Sequence, residues 1–526
     1  MRLRVPFMGR RNAEQLPVVR TEPTIAPTQD VRPRKAMNIG SLVRMMFASG
    51  ETNRLTGDWP TTPVPIDWII HRYQRVLVAR SREQWANNDY VKAYFRLQRQ
   101  NIVGPAGIML QSQVTKPSGE ADTEARVAIE RAFADWGRRE NCDVTGKRSW
   151  RAMQAACVAT EARDGEYFLR LVFDRKVNKY GFALQMIDPQ RCPVDYDRAD
   201  IDAAGSYIRQ GIEFNEYGKP IAYHFTDGSS GRSSLAYSYA GRSYIRVDAS
   251  EIIHGFFSEF PGQKRGLPWL STGLFRGKQM SAMEDAAVVN ARVGAAKMGF
   301  IEWEDGYGPE FDEDEGLEID AEAASFPVLP SGAKLSKFDP TYPTGELTPF
   351  SKLLLRGLSA GGGVAYENLS QDREGVTWTS IRQGTLEERE NYKERQEAVI
   401  EELCEPVFEA FLPRALLGGH ITTESGLILP ARHIDRYAAH KWQPRRWDWV
   451  DPTADSRAAE MQKNNLLASP SQLIRERGKD PDLVWKEFAE DIAAMRKAGI
   501  PDEFISLAMG MKIAPKTTEE TKEPTN

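Results

Sequence analysis

The segment 274–298 sets the terms for the whole chain: a proline-free run in which Ala282, Ala286, Ala287, Ala291, Ala295 and Ala296 are interleaved with Met280, Met283, Val288, Val289 and Val293. Alanine is the strongest helix former, so the run reads as one long helix. Each alanine buries little apolar area, which makes such a helix a poor anchor for a monomer core. It suits close packing beside copies of itself. A short apolar strand beginning at Glu251 and a turn carrying Gln263, Lys264 and Arg265 lead into it. The expectation is a ring or bundle of identical subunits.

With 526 residues the chain is long enough for more than one core. A net charge of −5 argues against a global basic field for nucleic acid. Charge is uneven, however. Residues 1–59 carry Arg2, Arg4, Arg10, Arg11, Arg20, Arg32, Arg34, Lys35, Arg44 and Arg54 against few acids, and read as a solvated, flexible basic arm. Cys142, Cys157, Cys192 and Cys404 lie too far apart for a metal-ligand spacing and are expected as reduced thiols. No apolar run reaches the 18–20 or so residues of a membrane span, and no secretory signal is expected at the N-terminus. No metal and no cofactor is expected.

Along the chain, 65–103 reads as two helices with Asn88 and Asp89 at the second start and Gly104-Pro105 as the stop. Strand residues follow at 108–110, then amphipathic helices over 121–142 and 148–163. A β-rich region extends to Phe257, with Asn215–Gly218 as a hairpin turn and 229–242 as a Ser/Gly/Tyr-rich loop. Beyond the alanine-rich helix come an acidic insert, a short helix around Phe350–Ala360, and a long charged helix over 379–412 ending near Pro406 or Pro413. A Trp-rich strand region at 440–452, helices over 453–510 and a frayed polar tail over 511–526 complete the chain. The class is α+β.

Gly357-Leu358-Ser359-Ala360-Gly361 matches the nucleophile elbow G-x-S-x-G, and His433 or His440 with Asp435 or Asp451 would complete a triad. That motif requires a strand before the serine, whereas 352–356 reads as helix, so a helix end entering a Gly-rich turn is the plainer reading. Asp312, Glu313, Asp314 and Glu315 lack the alternation of a Ca²⁺ loop. No phosphate-binding G-x-x-x-x-G-K-[ST] occurs; Gly146-Lys147-Arg148-Ser149 is the nearest fragment. His71, His224, His254, His420, His433 and His440 form no H-E-x-x-H pattern and read as structural. Trp442, Trp447 and Trp449 beside Arg445 and Arg446 read as packing residues before base-stacking ones.

The charged helix carries Glu387, Glu388, Glu390, Glu394, Glu397, Glu401, Glu402 and Glu405. A solvated face is one reading. The other is a surface that repels phosphate and lets DNA pass without adhering, since affinity for DNA comes from neutralising phosphates.

The ordered motifs resemble phage portal proteins of the lambda type. They are Ile187-Asp188-Pro189 with GIEFNEYGKPIAYHF; Ile253-His254 leading to Pro261–Gly266 and Pro268; Glu284-Asp285-Ala286; Phe338–Pro343; Val364–Glu367; Thr379–Arg382; Glu387–Arg389; and Trp447–Pro452. They span about 60–490 in family order; Lys264 stands where a small or apolar residue is expected. The resemblance implies a portal fold of wing, stem, clip and crown, repeated in a closed dodecameric ring at one capsid vertex. It implies a wing over 60–270, a stem helix over 271–298, a clip over 299–378, a second stem helix over 379–415, and channel loop, wing strand and crown over 416–510. Double-stranded DNA would pass the channel during packaging and ejection. The implied partners are other copies of the chain, the terminase large subunit, a head-tail connector or adaptor, the major capsid protein and scaffold, with no membrane. Assembly would take place in the host cytoplasm and the product reside in the virion. Glu387, Glu390, Glu394, Glu397 and Glu401 are candidates for the channel lining; Ala282, Ala286, Ala291 and Ala295 for subunit packing; Asp312, Glu313, Asp314 and Glu315 for docking of terminase or connector. The alternatives are a serine hydrolase built on Ser359 and a virion scaffold protein without a channel.

Overall fold

The computed structural model describes residues 54, 58, 60–199, 205–226, 244–295, 299–303, 333–337, 345–447 and 452–508. Most of the basic arm, the 229–242 loop, the acidic insert, Trp449, Asp451 and the tail lie outside the described residues. The chain divides into residues 1–64 and 65–526, and every element below belongs to the second unit.

Two helices open it, α1 (Ile66–Asn87) and α2 (Asp89–Ile102), and Asn88 joins them: its side chain accepts a hydrogen bond from the Val91 N–H and caps α2. β1 (Met109–Ser112), α3 (Thr123–Trp136) and α4 (Trp150–Asp164) follow, the last capped by Ser149 and ended by Gly165 at φ 94°. Next come β2 (Tyr167–Val172), β3 (Ala183–Ile187), β4 (Tyr207–Arg209), β5 (Ile212–Phe214), β6 (Pro220–Thr226), β7 (Tyr244–Asp248) and β8 (Ile252–Gly255). They form two antiparallel sheets, β3-β2-β8 and β4-β5-β6-β7. Phe168, Tyr223 and Phe225 pack between them. The mixture of helices with antiparallel sheets is the expected α+β class.

α5 (Leu274–Ala295) is followed by β9 (Gly299–Trp303), which pairs antiparallel with β10 (Ala333–Lys337), and then by α6 (Leu347–Gly362). The return is antiparallel: Arg276 at the start of α5 lies across Gly357 near the end of α6, and Gly273 abuts Leu358. α5 and α6 are in contact, so this excursion is a helical hairpin whose first arm is roughly 33 Å long. Within one subunit α5 is in contact with α6, which lies inside the 299–378 segment. Leu355 and Leu358 supply the reason, as they bury against Leu270 and Leu274 in one cluster.

That helix is α7 (Trp378–Val399), a π-helical turn over Ile400–Cys404, and α8 (Glu405–Leu417). It stops at neither Pro406 nor Pro413. The wide turn just before Pro406 leaves room where a regular ladder would need the missing N–H. Val407, Phe408, Phe411, Leu412, Ala415 and Leu416 then hold the continuation in the main core. That core is aromatic: Trp136 stacks on Phe182 at 5.2 Å, and Phe133 meets Phe408, Phe411 and Trp442 edge-on. β11 (His440–Gln443) pairs with β1 far back in sequence. The described chain closes with α9 (Pro452–Asn464), α10 (Pro470–Glu476), α11 (Pro481–Lys497) and α12 (Asp502–Ala508).

Candidate assembly surfaces

The base of the α5 hairpin is tied to the sheets by charges that never see water. Arg265, in the turn before α5, and Glu166, at the entrance to β2, are both fully buried. The Arg265 guanidinium donates to Glu166 at 2.6–3.0 Å and to the Gln210 and Cys192 carbonyls at 2.6 and 3.2 Å. Gln74 of α1 donates to Glu166 as well, and His254 Nε2 of β8 lies 3.0 Å from it. Burial alone would push the Glu166 carboxyl up; the Arg265 charge and the hydrogen bonds from His254 and Arg265 more than offset this and hold it at about 2. Burial lowers His254, so the neutral ring donates from Nε2. Lys264 finds Asp67 at 2.5 Å, which explains a charge where a small residue was expected. The PGQKRG motif was visible in the sequence; its partner Glu166 was not, because nothing local marks a buried acid.

Along α5, Ala282, Ala286 and Ala291 are exposed, while Ala287 is buried; Ala295 is the last residue of the helix. Phe275, Ala282, Ala286 and Val289 recur at steps of seven, four and three and form one apolar stripe, with Phe275 74% exposed and Val289 57%. α6 adds exposed Phe350 and Leu353. Asp312, Glu313, Asp314 and Glu315 lie outside the described residues.

Glu387, Glu390, Glu394, Glu397 and Glu401 are all exposed and follow a three-four alternation that keeps them on one face of α7 and its π turn. Glu388, Tyr392, Gln396 and Val399 occupy the opposite, buried face. Glu388 is thus no part of the acidic surface: Tyr392 donates to it at 2.6 Å, Asn368 also bonds it, and burial raises it. On the same side Arg395 lies between the Phe257 and Trp269 rings at 3.6 and 4.2 Å. Burial and the neighbouring Glu402 carboxylate push Glu161 up to about 8, and burial pushes Glu402 up to about 7.

The hydrolase alternative fails on geometry. Ser359 sits inside α6, is buried, and donates its hydroxyl to the Arg356 carbonyl at 2.9 Å, with no strand before it. His440 is held by Glu405 at 2.6 Å, and His433 accepts from Arg432. Trp442 packs into the core and Trp447 stacks on Tyr392, as the packing reading expected. Among the described residues no group of His, Cys, Asp and Glu is arranged to hold a metal ion, and no helix is long and apolar enough to cross a membrane.

An α+β chain that places a helical hairpin on a buried, ion-paired base and leaves an apolar stripe of that hairpin exposed presents the kind of surface that marks association sites, and fits the class of structural proteins. Comparison with known proteins narrows this. The family described as phage portal protein, lambda family, matches residues 52–396, and the chain belongs to that family. A probable portal protein of Halomonas phage phiHAP-1 is 35% identical over 467 residues, covering 87% of this chain and 88% of the relative. Portal protein B of Escherichia phage lambda is 24% identical over 483 residues, covering 85% and 89%. Among solved structures, a chain from the neck of an empty gene transfer agent particle aligns with a TM-score of 0.42 at 16% identity, covering 82% of this chain and 99% of that one. The role is that of a structural portal protein.

Proposed function

We propose that this chain is the repeating subunit of a closed, dodecameric portal ring at one capsid vertex, and that double-stranded DNA is packaged and ejected through the ring's axial channel. The observation that carries this reading is the hairpin of α5 and α6, whose stripe of Phe275, Ala282, Ala286 and Val289 and exposed Phe350 and Leu353 remain uncovered in one subunit. Small residues on a rigid helix let a neighbouring copy approach closely all along its length. Repetition of one heterologous contact then closes a ring. Under this reading residues 299–378 build the clip, where the terminase large subunit and later the head-tail connector dock. Capsid and scaffold proteins surround the sheets. DNA needs only a bore of suitable width and no base readout. The chain works without catalysis of its own, and assembly in the host cytoplasm precedes residence in the virion.

Electron micrographs of the purified chain test this directly. Rings with a central hole are expected, with about twelve-fold symmetry. Compact assemblies without a hole would favour a scaffold role, and monomers at high concentration would overturn the reading.

A further inference from the structure

A second charged surface lies across α7 from the glutamate stripe. A cavity of about 900 Å³ opens between the end of α2, the exposed side of α4 and the chain after β11, and its wall includes Arg99, Arg151 and Arg445 but no acidic residue. In a chain with net charge −5 that is an unusual concentration of one sign. Two glycines with left-handed backbone seat the arginine stems. A β-carbon on Gly104 would strike Arg445, and one on Gly107 would press against Arg151. Arg445 also donates to the Gln100 carbonyl. Lys92 and Arg96 share the exposed face of α2 with Arg99, at helical steps of four and three, and extend the positive surface beyond the cavity as a ridge.

The two surfaces cannot meet within one subunit. Gln396, on the buried face of α7, donates to the Asn101 and Arg445 carbonyls at 3.2 and 3.0 Å, and both of those residues line the cavity. The stripe of Glu387, Glu390, Glu394, Glu397 and Glu401 points the other way. Among the described residues, Glu394, Glu397 and Glu401 take part in no ion pair, and neither do Arg96, Arg99 and Arg151. The stripe extends about 21 Å along α7, and the Lys92–Arg99 ridge about 10 Å along α2. A head-to-tail contact requires just this: two different, complementary surfaces on opposite sides of one chain.

We infer that the acidic face of α7 in one copy docks on the Lys92–Arg96–Arg99 ridge and the arginine cavity of the next copy, a charge-matched seam between neighbouring subunits. This rests on the ring reading above, and it gives the stripe a partner other than DNA in the channel. Like charges set opposite each other across such a seam would cost several kcal/mol, whereas swapping both signs together would restore the match.

Three full-length variants test it by electron microscopy and sedimentation at low salt: Glu394→Lys/Glu397→Lys/Glu401→Lys, Arg96→Glu/Arg99→Glu/Arg151→Glu, and the chain carrying all six changes. All six positions are exposed, and thermal melts verify the fold. Each triple variant is expected to raise the concentration needed for rings by roughly a hundredfold or more, and the six-fold variant to recover rings. Rings of either triple variant at wild-type concentrations, or no recovery with all six, would overturn the seam while leaving the ring intact as a reading. Absence of rings from the wild-type chain would instead strike the ring reading itself.

Discussion

Arg265 and Glu166 meet at 2.6 Å with essentially no part of either side chain exposed, and between them they join the turn before α5 to the entrance of β2. Gln74, His254 and the Gln210 and Cys192 carbonyls complete the set, so one ion pair touches α1, both sheets and the base of the hairpin. The guanidinium also lies over the Phe168 ring at 5.4 Å. A pair this dry adds little net stability over an apolar substitute; what it does is tie hairpin, α1 and sheets together at one point.

Removing one partner strands the other. Arg265→Met is expected to cost about 3–5 kcal/mol at pH 7, because Glu166 would remain buried with its charge uncompensated. The folded carboxyl sits at about 2 against an ordinary 4.5, so its contribution is fully present above pH 4.5 and fades as pH falls toward 2. Urea unfolding of wild type and variant at pH 7 and pH 3.5 should show the gap narrowing in acid. Equal gaps at both pH values would separate the loss from Glu166.

Glu161 titrates in the opposite sense. Its folded carboxyl is raised to about 8, so the folded state keeps a proton that the unfolded chain releases, and stability falls as pH rises from 4.5 to 8. Glu402, raised to about 7, adds to the same slope. Glu161→Gln should leave stability at pH 5 nearly unchanged and increase it by something on the order of 2 kcal/mol at pH 8. Unfolding midpoints across that range provide the check, and a wild-type slope retained in the variant would rule out Glu161 as its source.

How far the sequence reveals this molecule depends on the range of each interaction. The helix break at Asn88 is legible because cap, charge and periodicity lie within a few residues of one another. The stripe of exposed glutamates on α7 is legible for the same reason, down to its heptad-like spacing. The contact of α5 with α6 is not, because a long segment separates the two helices in sequence and their apolar residues meet only in the folded chain. Nor is the continuation through Pro406, which depends on a π turn that no residue pattern announces. The arginine cavity draws on α2, α4 and the chain after β11, so only the folded chain brings Arg99, Arg151 and Arg445 together.

Ser359→Ala separates a motif from a mechanism. The hydroxyl serves only the Arg356 carbonyl within α6, so the substitution should cost no more than about 1 kcal/mol and alter no hydrolytic activity. Ester hydrolysis by wild type that disappears in the variant would restore the hydrolase reading.

The alanines of α5 offer the sharpest test of why this helix is built from small residues. Ala282 and Ala286 are exposed and lie on the stripe with Phe275 and Val289, so arginines there would meet no neighbour within the subunit. Arginine is nearly as good a helix former as alanine, and helix content and melting temperature should hold. Against an adjoining copy the outcome reverses: two long charged side chains would hold the helices apart and have to be buried unpaired. Ala282→Arg/Ala286→Arg is therefore expected to be a folded monomer at concentrations where wild type forms rings, whereas Ala286→Ser, nearly the same size, should still assemble. Sedimentation velocity distinguishes these outcomes. Wild-type assembly by the double arginine variant would mean that this face of α5 looks onto solvent in the ring.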